Sequence, residues 1–475
     1  MSSDFSIDLK QYTKLKIIGS GAFADVYEIQ EKGTSNKFAA KISKNEIDFE
    51  NPTVISENLK AEISILSSLA HPGILKFIGY SLKNFEDKPN PTIISELLDT
   101  RTLGTFFEYY YRGLSIPNFE LTSFKHITLF GISSAMKYLH QKKIIHKDLK
   151  PDNILFDEYF NPRISDFGLS VNMSLTGKEN LLKQQEIAGT PLYQAPEIIN
   201  QKDNPYSFKS DVYSFAIIAY ELMTNTEPFR GGSESALREA IKNKYRPEFD
   251  SMIPTCYRKL IEKCWEEDPK DRPTFSEIVD ILKSDDFLNE LDKEDGAVDL
   301  FQDYIKYVDD FIIKSEEGLD TDKIDKDLEI EKMRFKKWNL NYFYPLEKFI
   351  KLPKECQAAV RDASKDTSEQ FRVGVCSIEG IHSFPKDEEI GVNYLKCALR
   401  NGYKKAGIYL CKYFISHGTH KDYSQASFFL SQSVAYSKEE DRSENYEEDP
   451  DYLYLKGEIE KKENRRCRIV LQKVL

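Results

Sequence analysis

The order of periodicities along the chain constrains its fold more than any one residue does. From Tyr12 to about Ile42 residues alternate and favour strands, while after Leu103 the spacing turns helical. Leu15-Lys16-Ile17-Ile18 and Asp25-Val26-Tyr27-Glu28-Ile29 flank a glycine turn and predict a β-hairpin. Apolar residues at 59, 63, 66 and 69 predict a helix over Asn58 to Leu69, stopped by His71-Pro72-Gly73. Strands are expected at Ile74 to Ile78 and Thr92 to Ser95. Helices are expected at Phe124 to His140, Ser210 to Met223, Glu234 to Lys242, Pro254 to Glu266 and Thr274 to Leu282. Strands first and helices later make two lobes, and the junction between lobes is where ligand sites concentrate.

Length allows more than this. At 475 residues, and about 150 residues per domain, the chain holds roughly two to four folding units. A hydrophobic fraction of 40% with 30% charged residues suits globular cores rather than global disorder. The seven cysteines form no Cys-x-x-Cys pair, which argues against a disulfide framework or zinc site and fits a reducing, cytoplasmic setting. Met1-Ser2-Ser3-Asp4-Phe5 has neither a basic n-region nor an apolar h-region, and Ser2 stands where myristoylation needs glycine. No apolar run approaches about 18 residues, so membrane insertion is not expected. Between Ser284 and Ile330 there are 17 Asp or Glu against 5 Lys, which accounts for the whole net charge of -12. Acidity therefore marks a connecting segment, and nothing in the charge pattern favours nucleic acid.

His146-Lys147-Asp148-Leu149-Lys150-Pro151-Asp152-Asn153, followed by Asp166-Phe167-Gly168, carries the chemistry. Phosphoryl transfer needs a carboxylate to orient a hydroxyl, a cation on the γ-phosphate and oxygen ligands for Mg²⁺. Asp148, Lys150, and Asn153 with Asp166 are the matching residue types. Upstream, Gly19-Ser20-Gly21-Ala22-Phe23-Ala24-Asp25-Val26 resembles a glycine-rich loop, in which the missing side chains of glycines such as Gly19 and Gly21 let backbone N–H groups approach phosphates. Lys41 lies between apolar neighbours in Phe38-Ala39-Ala40-Lys41-Ile42, where an unpaired ammonium is costly, and Glu62 offers the opposite charge.

On these motifs Tyr12 to about Lys283 resembles the eukaryotic protein kinase superfamily. The resemblance implies an α+β bilobal kinase fold that binds ATP and Mg²⁺. It places Ile18, the glycine loop from Gly19 to Val26, Ala39, Lys41, Glu62 and Leu155 around the nucleotide, with Ser95, Glu96 and Leu98 along the hinge. It assigns Asp148 as base, Lys150 and Thr190 as its companions, and Asn153 and Asp166 as metal ligands. It also pairs Glu197 with Arg272, sets Asp211 behind the loop around His146, and stacks Leu66, Phe77, His146 and Phe167 in one column. Ser95 falls at the gatekeeper position, which implies room behind the adenine site.

Lys150 and Thr190 follow the serine/threonine pattern, while Asp211-Val212-Tyr213-Ser214-Phe215 and Cys264-Trp265-Glu266-Glu267-Asp268-Pro269 resemble the tyrosine-kinase-like group. Lys147 departs from the family's arginine, and it lacks the planar fork that receives an activation-segment phosphate. Ser170, Ser174 and Thr176 are candidate phosphosites in that segment. The alternative is a pseudokinase scaffold that only binds.

Beyond the catalytic region, 12–283, an acidic linker with a docking helix at Leu300 to Ile313 is expected over 284–330, and 331–369 is expected to be helical but is otherwise unassigned. Over 370–475, Pro385-Lys386-Asp387 before Gly391 to Ala398, and His420-Lys421-Asp422 before Ala426 to Leu430, recur at about 35 residues. They resemble Sel-one-like helical repeats, relatives of tetratricopeptide pairs, with a degenerate third unit near Asp451 to Glu460. Such repeats imply an all-α region that binds protein partners.

Overall fold

The computed structural model describes residues 5–47, 54–98, 101–114, 121–157, 159–174, 190–200, 206–229, 234–317, 346–364, 366–416, 425–431 and 453–457. It divides into two compact units, Met1–Tyr111 with Pro117–Trp338, and Arg112–Ile116 with Asn339–Leu475. Thr176, the Lys332 to Tyr344 stretch, His420 to Tyr423 and most of the third repeat lie outside the described residues.

The first unit opens with an antiparallel sheet of β1 (Tyr12–Ser20), β2 (Ala24–Glu31), β3 (Lys37–Ser43), β4 (Phe77–Ser81) and β5 (Thr92–Glu96). Its order is β1-β2-β3-β5-β4, so β1 and β4 are the edges. Alternation puts Ile29, Ala40 and Ile94 on one face, where they form a buried cluster with Leu9. Helix α1 (Val54–Leu66) starts and ends earlier than its apolar spacing suggests. Its end is set by serines: the Ser67 and Ser68 amides turn back onto the Ile63 and Ile65 carbonyls. The strand expected at Ile74 to Ile78 is displaced to β4, because Ile74 is used elsewhere in a bridge to Ile164.

The helical lobe follows with α2 (Leu103–Tyr111), α3 (Thr122–Gln141), the short strands β6 (Ile144–Ile145), β7 (Ile154–Phe156), β8 (Pro162–Ile164) and β9 (Val171–Asn172), then α4 (Pro196–Ile199), α5 (Phe208–Thr224), α6 (Glu234–Lys242), α7 (Thr255–Cys264) and α8 (Phe275–Leu282). Helix α3 is buried from Ser123 to Met136 and α5 from Ser210 to Met223. A helix buried all round is core rather than surface, so these two form the lobe's axis. Capping boxes at Ser207/Ser210 and Thr274/Glu277 fix where α5 and α8 begin.

The acidic stretch continues this unit through α9 (Asp285–Leu291) and α10 (Ala297–Glu316). Phe301 of α10 meets His126 and Phe130 of α3 edge-on, at 4.4 and 5.1 Å between ring centres. Gly131 permits that approach, since a Cβ there would stand 2.5 Å from the Tyr304 hydroxyl. Burial drives the His126 imidazole down to about 3. The neutral ring gives its Nε2 proton to the Leu282 carbonyl at 3.1 Å and receives the Tyr257 hydroxyl on Nδ1 at 2.8 Å.

The second unit is helical, with α11 (Leu346–Phe349), α12 (Lys354–Ala363), α13 (Thr367–Glu379), α14 (Glu388–Arg400) and α15 (Lys404–Ser416). Asp366 and Asp387 cap α13 and α14 by accepting from the Glu369 and Ile390 amides, and Gly380 ends α13 at a left-handed φ of 68°. Leu395, Ala398, Leu399, Ala406 and Leu410 bury one continuous core along α14 and α15.

Candidate active site

Short strands β6 and β7 hold the string from His146 to Asn153 between them, and one buried carboxylate braces it. Asp211, in the first turn of α5, accepts the His146 amide at 3.0 Å, the Lys147 amide at 3.0 Å and His140 Nε2 at 2.9 Å. Amide bonds to a charged acceptor inside a lobe are strong, so the loop is held by its backbone and its side chains stay available. His146 is fully buried, donates Nε2–H to the Ser165 carbonyl at 3.1 Å and receives the Asp148 amide on Nδ1 at 3.3 Å.

Three candidate catalytic side chains converge here. Lys150 Nζ donates to Asp148 Oδ2 at 2.7 Å, and Asn153 Nδ2 donates to the same oxygen at 3.1 Å and to the Asp148 carbonyl at 2.8 Å. Both side-chain bonds fall on Oδ2, and among the described residues no donor reaches Oδ1. Because Asn153 spends its amide N–H groups on these acceptors, its Oδ1 is left as a potential cation ligand. Thr190 stands at the head of the turn Pro191–Tyr193.

Lys41 of β3 joins the lobe-to-lobe set. Its ammonium lies 2.7 Å from Asp166 Oδ1 and 3.4 Å from Glu62 Oε1 of α1. Burial acts to lower the lysine, but Glu62 and Asp166 outweigh it and raise its pKa well above the ordinary value. Burial likewise acts to raise Asp166, yet Lys41 holds it below the usual carboxylate range, so both remain charged. Asp166 has a φ of 61°, an uncommon conformation that re-aims its carboxylate. Phe167 is buried and packs edge-on to His146 at 5.2 Å. Leu66 and Phe77 are half-buried on α1 and β4.

The glycine loop spans the β1–β2 turn, where the Gly21 amide donates to the Ala24 carbonyl at 2.9 Å. Ile18 is partly exposed and Phe23 is exposed at the tip, while Gly19 faces Val26 of β2. Ala39 pairs with Ser95, and Lys41 with both Val26 and Ile93. Glu96 closes β5, its amide donating to the Lys76 carbonyl at 3.0 Å and its Oε1 accepting the Lys76 amide at 2.8 Å. Leu98 follows β5, and Leu155 lies on β7 bridged to Thr102.

Three further contacts were not anticipated from sequence. Lys44 Nζ binds the Gly21 carbonyl at 2.7 Å and Asp25 Oδ1 at 3.0 Å, tying down the loop from below. The signal for it was register: Ala24 pairs with Ser43, which brings the next residue beside Phe23. Lys147, 8% exposed, sets its ammonium 4.5 Å above the ring of Tyr206. Burial pulls that lysine down to about 8, with Asp211 opposing. Glu221 of α5 accepts the hydroxyls of Tyr111 at 2.7 Å and Tyr193 at 2.9 Å, and burial pushes it up to about 7. No local pattern marks Tyr206 or Glu221. Ser170, a candidate phosphosite, is buried and donates to the His146 carbonyl at 3.1 Å, whereas Ser174 is exposed.

The lobe is anchored by Arg272, 1% exposed, whose Nη1 and Nη2 donate to Glu197 at 2.7 and 2.8 Å. This bidentate geometry fixes the end of the segment that begins at Asp166.

Residues 12–282 match the protein kinase domain family model. The chain belongs to this family. It is 35% identical over 288 residues to a probable serine/threonine-protein kinase of Dictyostelium discoideum, covering 58% of this chain and 20% of that protein. It is 30% identical over 284 residues to serine/threonine-protein kinase STY17 of Arabidopsis thaliana, covering 59% and 46%. Dual specificity protein kinase shkB of Dictyostelium discoideum is 34% identical over 273 residues, covering 56% and 39%. The chain thus spans less than half the length of each of these relatives. No helix among the described residues is long and apolar enough to cross a membrane.

Proposed function

We propose that the chain is an ATP-dependent protein serine/threonine kinase of the tyrosine-kinase-like group. The observation that carries this reading is the convergence of Lys150 and Asn153 on one oxygen of Asp148, with Asp166 held ionised by Lys41. Asp148 accepts the proton of a substrate hydroxyl through its other oxygen. Lys150 neutralises charge on the transferred phosphoryl group, and Lys41 steadies the α- and β-phosphates. Asn153 Oδ1 and the Asp166 carboxylate are hard oxygen donors and would hold Mg²⁺. When bound, Mg²⁺ would supply charge neutralisation for the phosphates.

Protein serines and threonines are the acceptors this reading favours, and the relatives named as serine/threonine kinases support it. The dual-specificity relative supplies a second reading in which tyrosine is also accepted. The helical second unit, read as Sel-one-like repeats, serves as a protein-binding adaptor carried by the kinase. Purified protein with Mg²⁺ and ATP should phosphorylate a generic serine/threonine substrate and not a tyrosine-only one. Phosphate on the tyrosine substrate at comparable rate would replace the first reading with the second. No turnover on either, with the protein folded, would leave a scaffold.

A further inference from the structure

β4 is an edge of the sheet, and a free edge is a row of unused backbone groups. Here it is covered from within the chain. Ser6 bridges Tyr80 in parallel, and the Ile7 amide donates to the Tyr80 carbonyl at 2.8 Å. Phe5 lays its ring against Phe77 at 5.5 Å, and Ile7 packs on the cluster of Leu9, Ile29, Ala40 and Ile94. Gly79 is the seat of this contact: a Cβ there would stand 2.6 Å from the Phe5 carbonyl oxygen and closer still to Ile7 Cδ1. Asp8 then caps the turn Leu9–Gln11, so the segment enters β1 in one defined path.

The strand that Phe5–Ile7 covers leads directly to the candidate site. Phe77 pairs with Ser95, and Lys76 exchanges two hydrogen bonds with Glu96, where the nucleotide's adenine edge would lie. Just before β4, Gly73 and Leu75 bond to both sides of Ile164, two residues from Asp166. Residues 73–81 therefore tie the hinge to the metal-binding carboxylate, and Phe5 bears on the middle of that tie.

We propose that Phe5–Ile7 is a positioning strap for the nucleotide cleft, acting through Phe77 on Ser95 and Glu96. It rests on the kinase reading above, and the strap itself touches neither nucleotide nor acceptor. Losing it loosens the hinge end of β4 and β5 and weakens ATP use, while capture of the protein substrate is left alone.

The test uses the full chain with Phe5→Ala, Phe5→Tyr, Gly79→Ala and the double variant Phe5→Ala/Gly79→Ala. Binding of a fluorescent ATP analogue, KM for ATP and for a peptide, and amide exchange at Ile78 to Ser81 are measured for each. A tilted aromatic pair such as Phe5–Phe77 is worth about 3- to 10-fold, so Phe5→Ala and Gly79→Ala should each raise KM for ATP by about that factor, leave the peptide KM unchanged and speed exchange in β4. Phe5→Tyr should restore ATP use, and the double variant should be no worse than the poorer single one. Faster exchange with unchanged KM for ATP would make the segment a mere edge cover and overturn the proposal. So would additive losses in the double variant. Should Gly79→Ala fail to fold, Phe5→Ala against Phe5→Tyr decides alone. A parent protein that binds and turns over no ATP would sink the kinase reading itself, whereas an active parent with unaffected variants sinks only the strap.

Discussion

Asp148 and Glu221 are both buried carboxylates of one lobe, and their partners give them opposite duties. Asp148 receives Lys150 and Asn153 on one oxygen, and on the proposed reading it keeps the other for a substrate hydroxyl. Asp148→Asn keeps the shape and removes the base; phosphorylation should fall by about 10²- to 10⁴-fold with ATP binding retained. Phosphorylation assays beside nucleotide titrations check this, and full turnover in the variant would move the base elsewhere. Glu221 is buried between Tyr111 and Tyr193, and burial raises it from an ordinary 4.5 to about 7. Between those values the folded state keeps a proton that the unfolded chain releases, so this group's contribution to stability falls as pH rises across that window and its cost is complete above it. Glu221→Gln has no such dependence. It should therefore gain on the parent by about 1–3 kcal/mol between about pH 4.5 and about pH 8, read from denaturant melts at each pH. Ser95 sits between Ala39 and Phe77 on neighbouring strands. Ser95→Met fills any space behind the adenine site, and should cost bulky ATP-competitive compounds at least about tenfold in potency, or about 1.4 kcal/mol.

Elements show why some of this was legible in the sequence. The β1–β2 hairpin and helices α5 and α8 announce themselves, because alternation, glycine turns and Ser or Thr capping boxes are local. The string around Asp148 was legible because its chemistry needs fixed residue types at fixed spacing. What was not legible depends on partners distant in sequence. Ile74 left its expected strand to bridge Ile164, and Tyr206 reached Lys147 only through the fold. The α13–α14 crossing is another such case, since Gly374 and Gly391 are unremarkable until each helix presents its backbone to the other. A Cβ on Gly391 would stand 2.6 Å from the Gly374 carbonyl oxygen. Gly391→Ala should thus destabilise the second unit by about 1–3 kcal/mol even though alanine is the better helix former by about 1 kcal/mol. Gly457→Ala, with nothing within 4 Å, should be neutral or stabilising. Amide exchange across α13 to α15 separates the two outcomes, and equal behaviour would mean that the crossing relaxes freely.

For the molecule as a whole, the decisive fact is where the first unit stops. The acidic stretch carries the entire net charge, yet its helices α9 and α10 belong to the catalytic unit, with Phe287 and Phe301 both against His126. Asp285, Asp286, Asp292, Asp299 and Asp309 are exposed while Phe287, Phe301 and Tyr304 are buried, so α9 and α10 complete a core even as the composition of the segment reads as a linker. A cut within it would expose that core, whereas a cut after Trp338 falls at the boundary between the units. A chain ended after Trp338 should keep ATP turnover within about twofold of the full chain and lose partner capture, since on the adaptor reading the helical unit does the binding. A chain ended after Lys283 should instead lose solubility or melt early, because removing Phe301 alone, a fully buried aromatic, is worth about 3–5 kcal/mol. Turnover assays and thermal melts on the two truncations distinguish a docked core helix from a dispensable linker. If the shorter chain is as stable and active as the longer one, α10 contributes nothing to the kinase lobe and the catalytic unit ends where its sequence motifs end.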